Sequence, residues 1–161
     1  MLTHFSRFAD YNKWANTRLY DTCAQLSDAN VFCAPAGVFS SIQGVLNHLM
    51  VADTIWTSRL TGSSPAIALN AQMYAERAAL RRARETMDDD ILVLLAAMTD
   101  DDMAGNVTYK TTSGDPFTMV RGVILQHFFN HQTHHRGQAH DMLSQTGVAP
   151  PVLDLLFFIR E

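Results

Sequence analysis

Cysteine is nearly absent from this chain. Only Cys23 and Cys33 occur in 161 residues, and they form no C-x-x-C pair. That excludes a disulfide framework and a thiolate zinc site, and it fits a reducing compartment. The two could pair with each other, but the role expected of each is a small buried thiol. Glutamate is almost as scarce, at Glu76, Glu85 and Glu161 alone. None is followed by histidine three places later, so the Glu-x-x-His motif of ferritin-like di-iron carboxylate proteins is missing. No apolar run is long enough to cross a bilayer, and Leu2 to Asp10 shows no apolar core with basic flanks. The expected location is the cytoplasm. Positive charge is not in excess either: the net charge is -4 and the pI about 5.9, a field that repels nucleic acid. Arg77, Arg81, Arg82 and Arg84 cluster, but on an alanine- and leucine-rich segment where they read as the solvated face of a helix.

What is present is a set of helical patterns. With 47% hydrophobic and 17% charged residues, the composition is that of a globular domain, expected to span 1–161 as one unit. The first pattern covers about 2–27, with apolar positions at Leu2, Phe5, Phe8, Trp14, Ala15, Leu19 and Leu26. A connection at 34–39 follows. Ser40 as N-cap, with Gln43 completing a capping box, predicts a second helix to about Leu60. A third runs from about Met73 to Met98, with Asp88-Asp89-Asp90 as a point of interruption. Val107-Thr108-Tyr109 and the turn pair Gly114-Asp115 suggest a short hairpin. Asp115 and Pro116 would cap and open a fourth helix ending near Gln145, before Gly147 and Pro150-Pro151. The apolar tail 152–159 should pack on the bundle or on a second subunit. The fold class is therefore all-α, a four-helix bundle with a hairpin or extended insert before the last long helix.

Four of the seven histidines fall between 127 and 135. His127, His131, His134 and His135 share an arc of about 100° on a helix, and the pairs 127/131 and 131/135 have the i, i+4 spacing that aims two imidazoles at one point. Bundles build metal sites from facing helices, which calls for a third ligand elsewhere. His48, in Leu46-Asn47-His48-Leu49, is the only histidine inside the second or third helix, and it lies on the apolar stripe. His48, His131 and His135 would form a three-histidine set with an open position, as in catalytic zinc sites. His127 is either a fourth ligand or, more in keeping with its place, an outer or core residue. His134 is read as lining the pocket, and His4 and His140 as surface residues. The segment 131–135 lacks the glutamate of an H-E-x-x-H zinc protease. Asp53, one turn past His48, is the candidate catalytic base or orienting group, with a packing aspartate as the alternative; Asp141 is a weaker candidate.

Other residues have two readings each. Trp14 and Trp56 either wall the pocket or belong to the core. Asn12, Asn16 and Asn130 either donate near the site or bridge helices. Arg136 binds an anionic group or makes an interhelical ion pair. Gly137 would permit close helix approach.

Three blocks carry a family resemblance: Asp10-Tyr11-Asn12-Lys13-Trp14-Ala15-Asn16; Leu46-Asn47-His48-Leu49 through Asp53-Thr54-Ile55-Trp56; and Asn130-His131-Gln132-Thr133-His134-His135-Arg136-Gly137-Gln138 with Asp141-Met142-Leu143 through Pro150-Pro151. With these the chain resembles the DinB/YfiT-like family of metalloenzymes nearly end to end. The resemblance implies a bundle of up-down-down-up order, commonly a homodimer. It also implies a divalent metal, often zinc or nickel, on three histidines at the positions of His48, His131 and His135. Characterised relatives include thiol-dependent enzymes, so the expected activity is thiol (S-)transfer with metal activation of a low-molecular-weight thiol. The alternatives are a metal-dependent hydrolase acting on a small molecule and a non-enzymatic metal-binding bundle or sensor.

Overall fold

Residues 1–27 and 39–161 of the computed structural model are described; Cys33 and all of the 34–39 connection except Phe39 lie outside them. Four long helices carry the chain: α1 (Leu2–Cys23), α2 (Ile42–Leu60), α3 (Arg77–Ala96) and α4 (Arg121–Ser144). A 3₁₀ turn (Asp101–Ala104) and a hairpin of β1 (Asn106–Lys110) and β2 (Pro116–Val120) precede α4, and a short α5 (Leu155–Arg160) ends the fold.

The packed pairs are α1–α3, α3–α2, α2–α4 and α4–α1, which leaves α1–α2 and α3–α4 as diagonals. Side-chain pairs give the directions. Lys13 meets Asp89 while Asp21 meets Arg81, so α1 and α3 are antiparallel. Asp53 meets Arg84 and Thr57 meets Met87, so α2 and α3 run together. His48 meets His131 and Leu60 meets Arg121, so α2 and α4 oppose. The order is up-down-down-up.

Local physics moves several boundaries from where periodicity put them. Ser41, not Ser40, caps α2, its Oγ accepting from the Gly44 N–H at 2.9 Å. Gln43 closes no capping box. Its amide donates to the carbonyls of Tyr74 and Ala75, and Asn47 exchanges hydrogen bonds with Tyr74. Those bonds hold the chain outside a helix, and α3 starts at Arg77 rather than near Met73. The aspartate run does not interrupt α3, because Asp88 turns inward to Arg84 and Asp89 outward to Lys13. Asp115 and Pro116 do not open α4. Pro116 starts β2, opposite Lys110, and the hairpin closes through Gly114 at φ 93°. Ladder bonds and the burial of Val107 and Tyr109 outweigh a cap-and-proline signal in 115–120.

Two apolar clusters fill the bundle. One gathers around Phe5, Leu60, Ile91, Ile124 and Phe128, the other around Leu19, Ile42, Leu46, Leu80 and Leu143. Along every helix the two are separated by polar residues: Asn12 and Asn16, Asp53, Arg84 and Asp88, Gln132 and Arg136, all nearly inaccessible. The tail packs on α1, one of the two partners expected for it. Phe158 lies 6.0 Å from Tyr11 and 5.8 Å from Trp14, and the Tyr11 hydroxyl donates to the Leu153 carbonyl. Among the described residues no helix is long and apolar enough to cross a membrane.

Candidate metal centre

α2 and α4 run side by side, and the i, i+4 step on α4 stacks His131 and His135 toward His48. Ring centroids are 5.2 Å apart for His48–His131, 4.5 Å for His48–His135 and 4.3 Å for His131–His135. One nitrogen from each lies within 4.8 Å of the others, and all three rings are half-buried.

Hydrogen bonds preset which nitrogen each ring offers. His48 Nδ1 stands 3.0 Å from the Leu69 carbonyl, which can only accept, so Nδ1 carries the proton and Nε2 is bare. His135 Nδ1 lies 2.7 Å from Gln138 Oε1, with the same consequence. This outer support is what metal-ligating imidazoles receive. The His48 and His131 Nε2 atoms face each other at 3.3 Å. Two nitrogens on one tetrahedral ion at about 2.0–2.1 Å stand about 3.3–3.4 Å apart, so this pair has the spacing of a shared divalent ion, with a His135 nitrogen within 4.8 Å of both. Burial, with the neighbouring imidazoles adding to it, lowers the His131 pKa to about 3, and burial also lowers those of His135 and His127. Both α4 imidazoles, His131 and His135, are therefore biased toward the neutral form that ligates a metal.

The remaining expectations fall on different surroundings. His127 stands outside the trio, its ring against Trp56 at 5.1 Å and 5.8 Å from His131. Trp56 thus packs on His127 beside the trio, whereas Trp14 packs in the α1–α5 cluster and donates to Glu161. Exposed His134 flanks His135, and Phe39 covers His48 and His135 from the other side. His4 is exposed, but His140 is half-buried and donates to the Pro151 carbonyl, so it is not a free surface residue. Asp53 is 1% exposed; Oδ2 lies 2.5 Å from Arg84 and accepts from Gln132. Burial lifts its pKa to about 6 against the pull of Arg84, leaving it ionised at neutral pH. Asn12 and Asn16 bridge helices to Asp88, and Arg136 donates to both; Asn130 is exposed.

Two readings need correction. Gly137 approaches no helix, since a Cβ there would meet nothing within 4 Å; Gly122 is the tightly packed glycine, where a Cβ would stand 3.1 Å from the Met103 carbonyl oxygen. Arg84 is no surface arginine but is 2% exposed and paired with both Asp53 and Asp88. Its sequence signal was the Arg84–Asp88 i, i+4 pair together with an aspartate on the apolar stripe of α2, which needs a cation. Nothing in the sequence singled out Leu69 or Phe39.

A model of the DinB family matches residues 1–161. The chain belongs to the DinB family. Protein DinB of Bacillus subtilis (strain 168) is 28% identical over 152 residues, covering 90% of this chain and 87% of its own. A DinB-like protein of Bacillus cereus ATCC 10987 superposes with a TM-score of 0.65 at 19% identity, over 86% of this chain and 89% of that one. YfiT from Bacillus subtilis, described as a probable metal-dependent hydrolase with an unusual four-helix bundle topology, superposes with a TM-score of 0.68 at 12% identity, over 90% and 89%. At those identities the superpositions establish the DinB bundle, and the family match establishes membership.

Proposed function

We propose that this DinB-family protein is a metal-dependent enzyme. His48, His131 and His135 would hold one divalent ion, zinc or nickel, with a position left open for a small-molecule substrate. The observation that carries this is the convergence of three imidazoles, two of them with Nδ1 tied to acceptors so that Nε2 is free to ligate. A bound ion supplies Lewis acidity there, lowering the pKa of a thiol or a water.

Thiol (S-)transfer is the preferred reaction. Asp53, the leading carboxylate candidate, has Oδ2 committed to Arg84 and Gln132. A thiol, with an ordinary pKa of about 8.5, loses its proton without a protein base more readily than water does. Phe39, His127 and Trp56 would exclude water and orient an electrophile beside the histidines. Hydrolysis is the second reading, favoured by the likeness to YfiT; in it Asp53 would act as a base. The apolar face of α5, with Leu156, Phe157 and Ile159 exposed, supports a homodimer.

The first experiment is elemental analysis of tag-free protein beside the His48→Ala, His131→Ala, His135→Ala and His140→Ala variants. About one divalent ion per chain is expected in the parent and in His140→Ala, with more than a tenfold loss in the other three. Full occupancy in those three would refute the site. Loaded protein is then assayed with low-molecular-weight thiols plus chlorodinitrobenzene, and separately with nitrophenyl esters. Turnover only of the esters would replace transfer by hydrolysis.

A further inference from the structure

On α4, Gln132 and Arg136 follow His131 and His135 by one residue each. Two ladders of four-residue step therefore lie about 100° apart on one helix. One ladder carries the imidazoles. The other enters a closed circuit: Gln132 to Asp53 on α2, Asp53 to Arg84 on α3, Arg84 to Asp88, Asp88 to Asn12 and Asn16 on α1, and both asparagines back to Arg136. We propose that this circuit is a positioning device for the metal centre, fixing the rotation and axial register of α4 against α2 so that the three histidines converge. The inference rests on the three-histidine reading above.

Stability does not account for the circuit. Two guanidiniums and two carboxylates are buried to 3% exposure or less, and such pairs are often no more stabilising than apolar side chains of the same volume. Asp53 Oδ1 and Gln132 Oε1 have no hydrogen-bond partner among the described residues, which adds cost. Apolar residues fill the layers on both sides and could fill this one. An apolar layer tolerates small rotations that directional hydrogen bonds do not. A donor nitrogen about 6 Å from the helix axis moves about 2 Å on a 20° rotation, the length of a metal–nitrogen bond. Asp53 lies on the same helix as His48, so the lock joins the two helices that carry the ligands.

The test is cobalt(II) binding, read by affinity and by its visible spectrum, beside thermal unfolding of the metal-free protein. Gln132→Met keeps the side-chain length and cuts the α4–α2 link. Its cobalt affinity is expected to fall about tenfold with an altered spectrum, while the metal-free Tm shifts by only about 2–4 °C. Arg136→Met should lose cobalt affinity in the same way, with a larger fall in metal-free Tm because two buried carboxylates are left with one guanidinium. Arg136→Lys, which keeps the charge but not the planar fork, should recover part of the affinity. Variants that bind cobalt with parental affinity and spectrum, whatever their Tm, would overturn the positioning role and leave the histidine site standing. A parent protein that takes up no cobalt would overturn the histidine site, and this inference with it. If Gln132→Met does not fold, the Arg136 pair decides.

Discussion

His131 is the residue on which the centre turns. It faces His48, lies against His135 on its own helix, and burial holds its pKa near 3. Between that value and the ordinary 6.5, an unfolded chain binds a proton there and the folded one does not. Acidification therefore favours unfolding across this window. Asp53 acts oppositely, because its raised pKa lets the folded form take up a proton first between about 6 and 3.8. Comparison with His131→Ala separates the two. The metal-free parent should lose Tm more steeply than the variant as pH falls from 6.5 toward 3, a difference that thermal scans at fixed ionic strength would show. Parallel slopes would mean that His131 is not depressed. Cys23, by contrast, is a structural thiol, since burial raises its pKa to about 12.

At the scale of elements, α4 bears two glycines of opposite character. Gly137 is exposed, with open space where a Cβ would stand. Gly137→Ala should raise stability by about 0.5–1 kcal/mol through backbone entropy alone. Gly122 lies under the 3₁₀ turn, where a Cβ would meet the Met103 carbonyl oxygen and Met1 Sδ at 3.1 Å. Gly122→Ala should cost about 1–3 kcal/mol. Chemical denaturation of both variants tests this, and equal effects would contradict the packing. The hairpin is held by the same end of α2: Arg59 lies 4.5 Å from the rings of both Trp56 and Tyr109 and donates to the Lys110 carbonyl. That stack continues through Trp56 to His127, so the insert before α4 braces one wall of the centre.

For the whole molecule, the polar layer divides the core into two apolar clusters and lies level with the histidines. At one end of the fold, α5 packs a half-buried Phe158 on α1 but exposes Leu156, Phe157 and Ile159, at 64%, 48% and 54%. Within the homodimer proposal this face is the contact. Sedimentation of the parent should then give twice the 18.0 kDa chain mass, and Leu156→Asp should shift it toward the monomer with metal content unchanged. A monomeric parent at micromolar concentration would end that proposal.

Much of this was legible along the chain. Long amphipathic patterns, the turn at Gly114-Asp115 and the i, i+4 histidines are local facts, because helical period and turn chemistry depend on neighbours a few residues apart. His48 could be chosen because an apolar stripe faces the interior. Boundaries at Arg77 and Arg121 were not legible, since each was settled by partners far away in sequence: Gln43 and Asn47 with 74–75, and β1 with 116–120. The cap at Ser41 was a local choice between adjacent serines. The burial of Arg84, the circuit through Gln132 and Arg136, and the Leu69 carbonyl that sets the His48 tautomer belong to tertiary structure alone. Periodicity states which side of a helix is apolar. It does not state which charge finds which countercharge, because that depends on how four helices are rotated against one another.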